Sequence, residues 1–280
     1  MSYATLMVHL DLDQENDARL SVVGDLAERF TARVIGIAAQ AEPVYYAVDV
    51  DAAGFVAEDL GEMEDNLAAI KQRVEEAEER FRTALRGRAK QLEWRSSIED
   101  PVPYIADQCR AADLLVIGKT ASDEPQEPNA QINPSDLIAR TGRPLLIVPL
   151  HVQTLQAERL LIGWKDTREA RRAVFDALPL LKKSQHVIVC EIDEDYNPAA
   201  AQRHVDDVVT WLANHGVSGA GKVEPLRDSP ATQLEALAKQ EAADLIVAGA
   251  FGHSKLREWI LGGVTRDLLG QSSCCQLLAH

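Results

Sequence analysis

An internal repeat constrains the architecture of this 280-residue chain more than any other feature. Residues 111–118 read AADLLVIG and residues 242–249 read AADLIVAG, so six of eight positions are identical at a spacing of 131 residues. The same spacing, carried forward without a gap, aligns Asp136 with Asp267 and Pro144 with Cys275. A repeat of this length predicts two similar domains, 1–150 and 151–280, each large enough to bury a core.

Strand and helix patterns alternate in both halves. Nearly continuous apolar runs predict parallel strands covered on both faces, and apolar residues at helical spacing predict amphipathic helices. The predicted strands include 5–10, 33–39, 159–164 and 186–192, the two repeated segments, and closing strands at 144–148 and 276–279; helices are predicted at 16–30 and 168–181. This alternation predicts two tandem doubly wound α/β domains, each a five-stranded parallel sheet with helices on both faces.

Two further features concern how the halves differ and how they associate. The first half is longer, with 107 residues from Asp11 to Gly118 against 84 from Lys165 to Gly249, and the surplus predicts a long amphipathic helix at 67–85. Because exposed apolar strand edges need covering, we expect the two closing strands to pack together and make the chain an intramolecular pseudo-dimer. The long helix is a candidate surface for a further homodimer.

Composition excludes several classes of function. The formal net charge of −15 repels a phosphate backbone, so nucleic acid is not an expected partner. No apolar run reaches the roughly 18 residues of a membrane span, and residues 1–8 lack the pattern of a secretory signal, which predicts a cytoplasmic protein without membrane contact. The four cysteines form no C-x-x-C pair and are expected to be thiols that pack in the interior.

A ligand site is predicted in the second half only. If the strand order in each half is 3-2-1-4-5, the order reverses between the first and fourth strands, which brings residues 163–166 beside 249–253. Glycine at 249 and 252 allows positive φ and close backbone approach to a ligand. Residues 262–265 then begin the last helix, whose unpaired amides and positive dipole end favour phosphate.

These glycines carry a family resemblance. The spacing G-x2-G-x9-G, present as Gly249, Gly252 and Gly262, resembles the nucleotide loop of the universal stress protein family, and the resemblance covers the whole chain as two tandem copies. It implies the order 3-2-1-4-5, association through the last strands, and in some members binding of ATP or AMP, with Mg²⁺ only alongside the nucleotide. The candidate nucleotide-binding residues are Gly163, Lys165, Ala248, Gly249, Gly252, His253, Gly262, Gly263, Val264 and Thr265.

The chain departs from the family pattern at two positions in this half. Lys165 stands where ATP-binding members usually have Asp, and Gly263 stands where they have Ser or Thr, so both departures are expected to weaken binding. In the first half Ala121 and Gln131 replace two of the glycines, and an acidic segment, 123–125, lies where phosphate would bind. We therefore expect the first half not to bind nucleotide.

The predicted function is a stress-response module that binds an adenine nucleotide in the second half. No phosphate-binding P-loop, nucleophile elbow or paired metal ligands accompany the crevice, and no residue is predicted to be catalytic. One alternative is a slow ATPase that uses Lys165, His253 and Thr265. Another is a scaffold whose crevice stays empty or takes an apolar compound, in which case the glycine loop is only a tight strand-to-helix connection.

Overall fold

The computed structural model describes residues 2–42, 57–119, 132–250 and 274–280. Within these ranges the strands are β1 (Thr5–His9), β2 (Arg33–Ala39), β3 (Gln91–Ser97), β4 (Leu114–Gly118), β5 (Leu145–Val148), β6 (Arg159–Trp164), β7 (His186–Asp193), β8 (Gly219–Pro225), β9 (Leu245–Gly249) and β10 (Cys275–Ala279). The helices are α1 (Asp17–Phe30), α2 (Ala57–Ala84), α3 (Pro101–Gln108), α4 (Pro134–Thr141), α5 (Arg168–Leu181), α6 (Pro198–Asn214) and α7 (Pro230–Gln240).

All of the described strands belong to one sheet. Their order is β3-β2-β1-β4-β5-β10-β9-β6-β7-β8, which is the order 3-2-1-4-5 followed by the same order reversed. Pairing is parallel within each half and antiparallel where β5 meets β10, with Leu146 opposite Leu277. The doubly wound fold and the pairing of the closing strands are therefore confirmed, and the joint between the halves is a continuous ladder of backbone hydrogen bonds.

Helices cover both faces of this sheet. One face packs against α1, α2, α5 and α6 through a single apolar cluster that spans both halves and includes Leu26, Phe81, Val174 and Val205. The other face packs against α3 and α4 in the first half and against α7 in the second. Because both faces are covered, the inner strands are continuously apolar, and every residue of β10 is buried.

Helix starts follow the capping chemistry of the sequence. Asp100 accepts a hydrogen bond from the Val102 amide at the start of α3, and Ser229 accepts one from the Thr232 amide at the start of α7. Proline occupies the first helical position in both cases, where its missing N–H leaves no hydrogen bond unmade. A capping residue followed by proline, as at residues 100–101 and 229–230, predicts a helix start from the sequence alone, and the structure confirms both.

The aspartate of the repeated segment joins the first strand of each half to the fourth. The Asp113 carboxylate accepts the backbone N–H groups of Ala4 and Thr5 at 2.8 and 2.9 Å. Asp244 accepts those of residues 158 and 159 at 2.9 and 3.3 Å. The most recognisable motif of the sequence is thus a structural clip that aligns the start of β1 with β4, and the start of β6 with β9.

The surplus length of the first half lies partly in α2, which has 28 residues against 17 in α6. Its inner face is buried at Ile70, Ala77 and Phe81, and the Phe81 ring packs against Trp94 of β3. The predicted long amphipathic helix is therefore present and begins earlier, at Ala57. None of the helices in the described ranges is long and apolar enough to cross a membrane.

Side chains of the first half contact α5 and the segment that follows it, and these contacts reinforce the joint between the halves. The Tyr3 hydroxyl donates to the Asp176 carbonyl at 2.7 Å, and the Arg29 guanidinium donates to the Lys183 carbonyl at 3.0 Å. The Lys183 ammonium also lies 5.2 Å from the centre of the Phe30 ring.

All four cysteines are buried thiols, as expected from their spacing.

Candidate functional site

The exits of β6 and β9 meet in the second half, at the point where the strand order reverses. The two strands are parallel neighbours, with Gly163 opposite Ala248. This arrangement brings four predicted site residues to one edge of the sheet: Gly163, Lys165, Ala248 and Gly249. The other six lie outside the described residues: Gly252, His253, Gly262, Gly263, Val264 and Thr265.

Helix α5 explains why position 249 is glycine. A Cβ built on Gly249 would overlap the backbone nitrogen of Ala170 and would lie 2.6 Å from the backbone carbon of Glu169. The φ angle of Gly249 is not in the left-handed region, so the expectation that this glycine supplies positive φ is wrong. Its missing side chain instead lets the first turn of α5 rest directly on the end of β9.

Helix α7 packs against Gly163 on the opposite face of the sheet and leaves little room for a side chain there. A Cβ there would lie 2.8 Å from a methyl carbon of Leu234. The smallness of Gly163 therefore serves packing, although the Leu234 methyl group is the far end of a flexible side chain and could shift.

Lys165 is held in an ion pair at the same edge. Its ammonium lies 2.7 Å from a carboxylate oxygen of Glu194, whose side chain is only 11% exposed. Glu194 directly follows β7, the neighbour of β6 in the sheet, so the two side chains leave adjacent strand ends. Sequence reasoning did not identify Glu194 as a partner, and the available signal was an acid at the exit of the adjacent strand.

The equivalent exit in the first half is filled by an arginine. Arg19 is the third residue of α1, as Ala170 is the third residue of α5, and it is only 3% exposed. Its guanidinium donates to the His9 carbonyl at 3.2 Å and occupies the space that a Cβ on Gly118 would need. Burial lowers the pKa of Arg19 to about 10, which leaves the guanidinium charged at neutral pH.

His9 completes this buried basic group. Strand register and the 131-residue spacing place it at the position that Gly163 holds in the second half. His9 is 4% exposed, and burial lowers its pKa well below the usual value, with the nearby Arg19 charge acting in the same direction. The ring is therefore neutral at pH 7, and sequence reasoning identified neither His9 nor Arg19.

The strand order, the paired closing strands and the site at the order reversal define a tandem doubly wound α/β protein. Residues 156–279 match the model of the universal stress protein family. The second half is thus a universal stress protein domain, and the first half repeats its fold. This confirms the resemblance carried by the glycine spacing.

Solved structures share this fold along nearly the whole chain. A universal stress protein from Archaeoglobus fulgidus DSM 4304 is 15% identical with a TM-score of 0.73, and the match covers 98% of this chain and 95% of that one. A functionally unknown protein from Pseudomonas aeruginosa PAO1 is 14% identical with a TM-score of 0.52, and the match covers 99% of this chain and 92% of that one. No curated protein sequence matches the chain.

Proposed function

We propose that this universal stress protein binds one adenine nucleotide, ATP or AMP, at the exits of β6 and β9, and that it acts as a binding module. One observation carries the proposal: the two halves share a scaffold but differ at the exit itself. In the first half the buried Arg19 side chain lies against Gly118, whereas in the second half the backbone of α5 at Ala170 packs directly on Gly249. The glycine loop of the sequence, Gly252 and Gly262, occurs in that same half.

Local charge supports a particular binding mode. The Lys165–Glu194 pair is neutral as a whole, so it adds no net repulsion of phosphate at an exit that lies in a chain of net charge −15. The phosphates then depend on backbone amides, which bind anions whatever the protein's total charge. Mg²⁺ enters this scheme only as a companion of bound ATP. Among the described residues, no three His, Cys, Asp or Glu side chains are arranged to hold a metal ion.

Calorimetric titration of the full chain with AMP, ATP and ATP with Mg²⁺ tests the proposal. The full chain is required because separating the halves would expose the paired edges of β5 and β10. Gly252→Val should abolish binding, because a branched side chain would stand in the backbone approach. Ala121→Val is the matched control, since it introduces the same residue at the aligned position of the first half.

We expect a stoichiometry near one and an unchanged affinity in Ala121→Val. Equal binding by Gly252→Val and the parent protein would refute the nucleotide assignment and leave the loop as a connection. Release of phosphate from ATP above a denatured control would instead favour the slow ATPase.

A further inference from the structure

A cavity in the C-terminal half opens on the face of the sheet opposite to the one on which Gly163 packs against α7. It has a volume of about 490 Å³ and lies between α5 and α6, beside the end of β6. Gly163 packs toward α7, whereas the next residue, Trp164, lines the cavity and joins the cluster formed with α5 and α6. Successive strand residues face opposite sides of a sheet, so the cavity opens on the side of β6 that Gly163 does not face.

Aromatic rings form much of its wall. Trp164 is 8% exposed and contributes from the strand, while Phe175 and Trp211 contribute from α5 and α6. Phe175 remains 40% exposed, which is unusual for a phenylalanine beside an apolar cluster. The volume falls within the range of about 300–1,000 Å³ typical of small-molecule sites, which combine apolar walls with a few polar groups.

The polar groups at the cavity leave one negative charge unbalanced. Arg171 pairs with Asp166 at 2.5 Å, and the His204 ring lies 3.2 Å from the Glu191 carboxylate behind it. Asp207 lines the cavity and has no hydrogen bond or ion pair within the part of the chain that the structure describes. A positively charged ligand would pair with this carboxylate, and the net charge of −15 would attract such a ligand from solution.

The indole of Trp164 forms part of the cavity wall. Indole faces also attract cations more strongly than other aromatic side chains do.

We propose that this cavity binds a small organic cation with an aromatic body. The ammonium pairs with Asp207, and the body packs among the aromatic rings. None of the candidate nucleotide-binding residues lines the cavity, so the site is distinct from the proposed nucleotide site.

Three probes with the same hydroxyphenyl body test the charge requirement: tyramine as the cation, tyrosol as the neutral analogue and 4-hydroxyphenylacetate as the anion. Titrated into the full chain by calorimetry, tyramine should bind at one site about three- to tenfold more tightly than tyrosol, which is the range expected for a partly exposed cation–π and ion-pair contact. The anion should bind most weakly. Equal affinities for tyramine and tyrosol, or no saturable heat with tyramine, would overturn the proposal.

Variants locate the site. Asp207→Asn should bring tyramine to the affinity of tyrosol, whereas Asp206→Asn, an exposed neighbour that pairs with Gln202, should change neither. Phe175→Ala should weaken both probes, and its exposure makes misfolding an unimportant concern. Saturating AMP should leave tyramine binding unchanged. Identical behaviour of the two aspartate variants, or competition by AMP, would place the probe elsewhere and refute the assignment.

Discussion

Removing the carboxylate clip of each half should destabilise the protein by a predictable amount. Each of Asp113 and Asp244 accepts two backbone N–H groups, of which one lies at an exposed position and one is partly buried. Water can replace the exposed bond, so mainly the second is lost in Asp113→Ala or Asp244→Ala. A hydrogen bond to a charged group contributes about 1.5–3 kcal/mol. At about 2 °C per kcal/mol for a chain of this size, the unfolding midpoint should fall by roughly 3–6 °C.

An asparagine variant, Asp244→Asn, separates the effect of the charge from that of the hydrogen bonds. Burial raises the pKa of Asp244 despite the opposing effect of its two backbone hydrogen bonds, so its ionised form is disfavoured in the folded protein. The folded state therefore keeps this proton to a higher pH than the unfolded chain does, and stability falls as pH rises from about 4 through the folded pKa. Asp244→Asn keeps one acceptor and no charge. It should destabilise less than Asp244→Ala at pH 7 and should remove this part of the pH dependence.

Differential scanning calorimetry between pH 4 and 8 measures both effects on the parent and on the three variants, Asp113→Ala, Asp244→Ala and Asp244→Asn. Asp244→Ala unfolding within about 1 °C of the parent at pH 7 would show that the clip contributes nothing. An Asp244→Asn variant that keeps the full pH dependence of the parent would assign that dependence to other groups.

Three other variants test the two strand exits. Ala170→Arg should abolish nucleotide binding in calorimetry, because Ala170 is buried against the end of β9 and an arginine there would displace the first turn of α5 from the exit. His9→Gln should reduce the loss of stability at acidic pH. A buried neutral histidine binds its proton only in the unfolded chain, so the free energy of unfolding of the parent falls below about pH 6.5 by up to roughly 1.4 kcal/mol per pH unit. The family pattern alone predicts that Lys165→Asp strengthens nucleotide binding, but the Asp would face Glu194 without a counter-charge, so we expect weaker binding. Adding Glu194→Lys should restore it, and equal affinities of the three proteins would show that the pair does not contribute to the site.

The fold was predictable because its signals are local. The repeated segment shows the duplication directly, and apolar runs and capping residues mark most elements to within a residue or two. β2 and β6 begin and end where the sequence predicts, and α5 does too. The pairing of β5 with β10 follows from the need to cover apolar edges, which is a general property of sheets.

The candidate site was less predictable because its contacts are distant in sequence. Arg19 is a polar residue in the first turn of an amphipathic helix, and its burial depends on Gly118, 99 positions away. The Lys165–Glu194 pair depends on the adjacency of two strand ends. Gly249 was interpreted as a ligand contact, but the packing of α5 against it is sufficient to require glycine. A glycine motif thus combines packing and ligand demands that sequence alone cannot separate.

The two halves have retained the scaffold and diverged at the exits. Both keep the aspartate clip, the strand order and a glycine that ends the fourth strand. At the exits, by contrast, His9 and Arg19 are buried in one half where Gly163 and Ala170 stand in the other. A half that does not bind nucleotide would still be required, because without it the apolar edge of β10 would be exposed. The joint alone therefore accounts for the whole fold of the first half, and the proposal of one nucleotide site per chain is compatible with it.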